Sequence, residues 1–219
     1  MERERIMGGR GSRSSGRGGG GGGLNPSDIV STTSLVSARE GQQLEVDETL
    51  QTFKDFNDEY GFVIDDIQIA TLQGNGASVI GYYDGSNIAM NQSYFNKARI
   101  EKAYDDCVDA GFHPSKGSKT ALQAVASHEL GHALTDKVAD KMGISGVGKL
   151  QQASTRIVNE ARKQTGHRGV VQMASKISGY ATHSNAEAIA EAVADVYCNG
   201  GKAKKESKAI VNVMNSYLK

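Results

Sequence analysis

The chain has 219 residues and balances 25 lysines and arginines against 25 aspartates and glutamates, so it carries no net charge. That balance argues against a dedicated nucleic-acid binder, which shows a basic excess, and no apolar run approaches the length of a membrane span. The two cysteines, Cys107 and Cys198, are far apart and fit a reducing compartment or simple burial better than a disulfide framework.

Residues 1–23, "MERERIMGGRGSRSSGRGGGGGG", are nearly all glycine, serine and charge. Such a segment has too little apolar surface to offset its ordering entropy, which predicts a flexible tail. Arg10, Arg13 and Arg17 offer the one route to nucleic acid or an acidic partner, against the simpler reading of a solvated tail. The polar, Ser/Thr-rich stretch that follows extends the tail and linker over 1–45, leaving 46–219 as one domain. The N-terminus lacks the apolar segment of a secretory signal. The chain is therefore expected to be cytoplasmic at synthesis, with virion association or a signal-independent delivery route left open.

From Val46, "VDETLQTFKDFNDEYG" spaces Leu50, Phe53 and Phe56 as a helix does, with Gly61 as its stop. "FVIDDIQIATL" reads as a strand, and "SVIGYYDGSNIAMNQ" as two short strands around Asp84-Gly85. Helices follow over Ser93 to Ala110 and Ser118 to about Lys137, the second with a ridge of Leu122, Ala126, Leu130 and Leu134. A polar helix spans Lys149 to Gln164, "TGHRGV" is a loop and "VVQMASKISGYA" is mixed. "SNAEAIAEAVADVYCNGG" is a helix with a glycine stop, and Lys202 to Leu218 forms the last helix. Strands followed by helices make this an α+β domain.

The chemistry is concentrated in "AVASHELGHALTD". Residues four apart on a helix project from one face, so His128 and His132 can reach one tetrahedral ion. Glu129 is rotated by one residue, where its carboxylate reaches a water on that ion without becoming a ligand. This is the H-E-x-x-H arrangement with the glutamate as general base. Composition alone gives the pattern in roughly 0.6% of such chains, so a second, independent feature is needed.

A catalytic zinc takes three protein ligands and keeps one position open. "HALTDKV" does not continue as H-x-x-G-x-x-H, which excludes the Met-turn class. His113, His167 and His183 each stand alone in loop-like sequence. Glu187 is the better third ligand, because its helix is apolar on nearly every side and a buried carboxylate must be paired or on a metal. Glu191, one turn further on, would accept the free ring N–H of His128 and fix its tautomer.

His128-Glu-Leu-Gly-His132, followed by Tyr180, Glu187 and Glu191 in "YATHSNAEAIAEAV", resembles the gluzincin zinc metallopeptidases, and among them the catalytic domain of anthrax lethal factor. The resemblance covers about residues 120–198. It implies a zincin-like domain with a small mixed or antiparallel sheet, an edge strand above the H-E-x-x-H helix and a mostly helical C-terminal part. It further implies Zn2+ held by His128, His132 and Glu187, Glu129 as general base, Glu191 behind the ligands, and Tyr180 donating its phenol to the oxyanion. The hairpin from Tyr82 to Asn91 fits the family's edge strand, which pairs with an extended protein or peptide substrate.

The expected activity is hydrolysis of peptide bonds through a zinc-activated water. The alternative is a non-catalytic structural or virion-associated protein that keeps a zincin-like fold, since the Gly/Arg-rich head also resembles small proteins encoded beside phage head genes. His167 and His183 stay open as helpers at the cleft. Substrate preference and oligomeric state leave no mark in the sequence.

Overall fold

A computed structural model describes residues 42–61, 66–70 and 79–218. Most of the expected tail and linker, 1–41, lies outside the described residues. The first helix, α1, runs over Gln43–Tyr60, three residues ahead of the expected boundary at Val46. Glu45 lies in its first turn, and its carboxylate accepts the backbone N–H of Lys97 at 2.9 Å. Gly61 ends it in the left-handed region, with φ 59°, a backbone state that glycine reaches without a Cβ penalty.

Among the described residues three strands follow: β1 (Asp66–Ala70), β2 (Gly81–Tyr83) and β3 (Asn87–Asn91). They form a mixed sheet in the order β1-β3-β2, with β1 parallel and β2 antiparallel to β3. The β2–β3 hairpin turns at Asp84-Gly85 as expected. The Asp84 carboxylate accepts the N–H groups of Ser86 and Asn87 at 2.9 and 2.8 Å, and Gly85 supplies the positive φ. One face of the sheet sends Ile69, Tyr83, Ile88 and Met90 into the helical core. The other buries Ala70, Tyr82 and Ala89 with Val79.

The helices after the sheet are α2 (Lys97–Asp109), α3 (Ala121–Lys141), α4 (Lys149–Thr165), α5 (Val170–Ala174), α6 (Asn185–Asn199) and α7 (Lys205–Leu218). A single 3-10 turn at Tyr180–Thr182 precedes α6. The ends differ from the pattern-based expectation where a side chain caps the helix. Asn96 accepts the Arg99 N–H and starts α2 late. Thr120 and Gln123 form a reciprocal capping box, so α3 begins at Ala121 and not Ser118. Asp195 accepts the Lys204 N–H and the Ser207 hydroxyl, which moves the start of α7 to Lys205.

The fold is thus α+β and mostly helical. Its centre is the packing of α6 against α3, with α4 and α7 flanking α6. The expected ridge of Leu122, Ala126, Leu130 and Leu134 is wholly buried. So are Ala186, Ala188, Ile189, Ala190, Ala192, Val193 and Ala194 of α6, as expected of a helix apolar nearly all round. Among the described residues no helix is long and apolar enough to cross a membrane. Cys107 and Cys198 are buried free thiols.

Candidate metal centre

His128, Glu129 and His132 lie mid-way along α3, on the stretch that meets α6 and β2. The approach of α6 is set by Gly131: a β-carbon there would fall 2.8 Å from the Ala190 Cα. This close crossing brings Glu187, in the first turn of α6, onto the two histidines. Ser184 caps that turn by accepting the Glu187 N–H at 3.1 Å, which fixes the start of the helix and with it the direction of the Glu187 side chain.

The three side chains present one ligand atom each, all within 4.8 Å of one another, and all three residues are buried. Glu187 Oε2 lies 3.2 Å from His128 Nε2 and 3.5 Å from His132 Nε2. Two donors placed tetrahedrally at 2.0–2.1 Å from one ion would stand about 3.3–3.4 Å apart. Despite their proximity, His128 Nε2 and Glu187 Oε2 satisfy no hydrogen-bond geometry, and both are buried. Orphaned polar atoms in a protein interior are costly, and a shared cation satisfies such atoms. The donor set of two imidazoles and one carboxylate suits a metal with nitrogen and oxygen preference. The group could therefore hold a metal ion.

Electrostatics point the same way. Burial works against a charged ring at His128, but the carboxylates of Glu187 and Glu191, with Glu129 beside them, raise it to about 10. Burial also opposes ionisation of Glu187, and His132 and His128 overcome it and hold the carboxyl far below the usual range. The centre of the cluster favours positive charge, carried by a proton or by a cation.

Glu129 sits beside this cluster but does not join it. Both its oxygens are buried without a hydrogen-bond partner. Burial pushes its pKa up, with Glu187 and Glu191 adding to the rise against the pull of His128 and His132. Strand β2 passes directly over it: a β-carbon on Gly81 would meet Glu129 Oε1 at 2.9 Å. Only glycine lets the strand lie this close to the carboxylate.

Glu191 lies on the far side of His128 from Glu187. His128 Nδ1 lies 2.9 Å from its Oε1, which turns Nε2 toward Glu187. The Ser178 hydroxyl donates to Oε2 at 2.7 Å. Burial disfavours the charged carboxylate, but His113 and His128 outweigh it and hold Glu191 down at about 2. Tyr180 is buried in the 3-10 turn, with its ring centroid 5.9 Å from that of His128.

The remaining histidines separate. His167 leaves the site altogether: its Nε2 lies 2.8 Å from Glu206 on α7. His183 is exposed and packs edge-on against Tyr180 at 4.9 Å. His113 is the residue that sequence reasoning missed. It stood alone in loop-like sequence, yet it is buried with Nδ1 at 3.1 and 3.2 Å from the two oxygens of Glu191.

Comparison with protein-family models, with curated proteins and with solved structures finds no match to this chain.

Proposed function

We infer that this chain is a zinc-dependent endopeptidase of the gluzincin type, with a zincin-like domain. The observation that carries the reading is the convergence of His128, His132 and Glu187 on one buried point, 3.2–3.5 Å between donors, with Glu129 alongside but outside the ligand set. His128, His132 and Glu187 would hold the Zn2+. When bound, the ion supplies Lewis acidity and lowers the pKa of a water toward neutrality.

The protein's own residues supply the rest. Glu129, with its raised pKa and two unpartnered oxygens, accepts the proton of the attacking water. It holds that proton at a carboxylate oxygen and passes it to the leaving amine nitrogen. Glu191 keeps His128 in the Nδ1–H tautomer, so that Nε2 keeps its lone pair. Tyr180 donates its phenol O–H to the carbonyl oxygen as negative charge develops there. The edge of β2, with no side chain at Gly81 to intervene, pairs with an extended substrate backbone. On this reading the substrate class is protein or peptide.

One observation favours the second reading, a non-catalytic structural or virion-associated protein that keeps the same fold. Glu129 is only 1% exposed, so β2 must yield before a peptide bond reaches it. A mixed peptide library incubated with zinc-supplemented wild type and Glu129→Gln separates the two. The peptidase reading predicts cleavage by the wild type and a loss of at least about 100-fold in the variant, with metal retained by both. Cleavage by neither protein supports the non-catalytic reading, and equal cleavage by both removes Glu129 from the mechanism.

A further inference from the structure

We propose that His113 is a positioning residue for the metal centre, clamping Glu191 so that this carboxylate can hold His128 in one orientation. The role rests on the metal-centre reading above and extends it to a residue far from the motif.

The chain delivers His113 to this place by backbone pairing. The loop after α2 runs beside the segment before α6. The Gly179 N–H donates to Gly111 O at 2.9 Å and the Tyr180 N–H to Phe112 O at 3.0 Å. A β-carbon on Gly179 would lie 3.2 Å from Gly111 O, so a glycine at that position keeps the two segments in register. The next residue, His113, then points into the interior. Tyr104 stacks on one face of its ring at 5.5 Å, and Tyr180 and Phe112 pack edge-on at 5.4 and 5.0 Å. Three aromatic neighbours leave the imidazole little room to turn.

The Ser178 hydroxyl and the rings of His113 and His128 converge on the Glu191 oxygens, and carboxylate oxygens accept hydrogen bonds, so the His113 nitrogen that faces them is the donor. Its Nδ1 spans both oxygens of Glu191, while His128 takes Oε1 and Ser178 takes Oε2. Donors on both oxygens prevent the carboxylate from rotating about its own axis. With Glu191 held, His128 has a single partner for Nδ1, and its Nε2 stays aimed at the ligand cluster. Tyr180 touches the rings of both His113 and His128, so the same clamp orders the proposed oxyanion donor.

The test is zinc affinity, by competition with a chromophoric chelator, for wild type, His113→Phe and His113→Asn. Phenylalanine keeps a ring between the aromatic neighbours but has no donor. Asparagine places an amide N–H where Nδ1 stood. The clamp predicts a 10- to 100-fold weaker affinity for His113→Phe, with a lowered metal-free melting temperature as buried Glu191 loses a donor, and recovery toward wild type in His113→Asn. Wild-type affinity in a folded His113→Phe overturns the role, as does equal weakening in both variants. If His113→Phe fails to fold, nitrogen NMR of histidine-labelled wild type decides: the Nδ1–H form of His113 upholds the clamp and the Nε2–H form overturns it. A wild type that takes up no zinc removes the metal centre itself, and this role with it.

Discussion

Gly131, the fourth residue of "HELGH", lies so close to Ala190 that a β-carbon on it would sit 2.8 Å from the Ala190 Cα and 3.2 Å from the Val193 Cβ. The residue between the two motif histidines therefore sets how near the helix bearing Glu187 and Glu191 can come. The motif and the geometry of the His128, His132 and Glu187 cluster are coupled through one absent methyl group.

Gly131→Ala tests that coupling. The obstructing atom is backbone, which cannot swing aside, so the helices must separate. A loss of about 1–3 kcal/mol in urea denaturation is expected for such overpacking, together with weaker metal affinity in a chelator competition. A variant with wild-type stability and affinity would mean that α6 can slide at no cost.

Gly81→Ala should behave differently, because the atoms it meets are Glu129 Oε1 and Cγ and Val125 Cγ1, all side-chain atoms. They can yield, so the fold and the bound metal are expected to survive. Under the proposed peptidase activity Glu129 is the base that moves, and misplacement on this scale costs about 100-fold in rate. Peptide turnover together with metal content checks it, and the expected pattern is metal kept with turnover lost.

Glu191 gives a pH signature. Its folded pKa lies near 2, below the ordinary 4.5, so the ionised form is favoured by folding. The stability it contributes is complete above pH 4.5 and is lost as pH falls through about 2. Chemical denaturation of metal-free wild type and Glu191→Gln across pH 2–6 should show the wild-type advantage shrinking toward the acid end. A gap that is constant with pH would deny the carboxylate its charge.

The cysteines offer a check on burial. Burial pushes the Cys198 thiol up to about 12 and the Cys107 thiol to about 11. Thiolate is the reactive form, so neither should alkylate in folded protein at pH 8, and both should do so in denaturant. Rapid labelling of the folded chain would contradict the packing of α2 and α6.

Much of this was legible in the sequence, for identifiable reasons. The four-residue spacing of His128 and His132 encodes a shared helix face directly. The apolar surroundings of Glu187 and Glu191 mark them as buried carboxylates in need of partners. What escaped detection depends on contacts that no local period encodes. His113 reaches Glu191 only because residues 111–112 pair with 179–180. In α1, Leu50 is 45% exposed although it fits the apolar spacing. The buried stripe runs instead through Val46, Thr49, Thr52 and Phe56. Its threonines are admissible because their hydroxyls donate to the Glu45 and Glu48 carbonyls one turn back, so residues counted as polar line the core.

The most direct test is the metal content of the purified, tag-free protein by elemental mass spectrometry. The account predicts about one zinc per chain, as a single site requires, with loss of zinc in His128→Ala. No bound metal, even after zinc is supplied, would contradict it and reduce "HELGH" to a buried helix with two packed histidines.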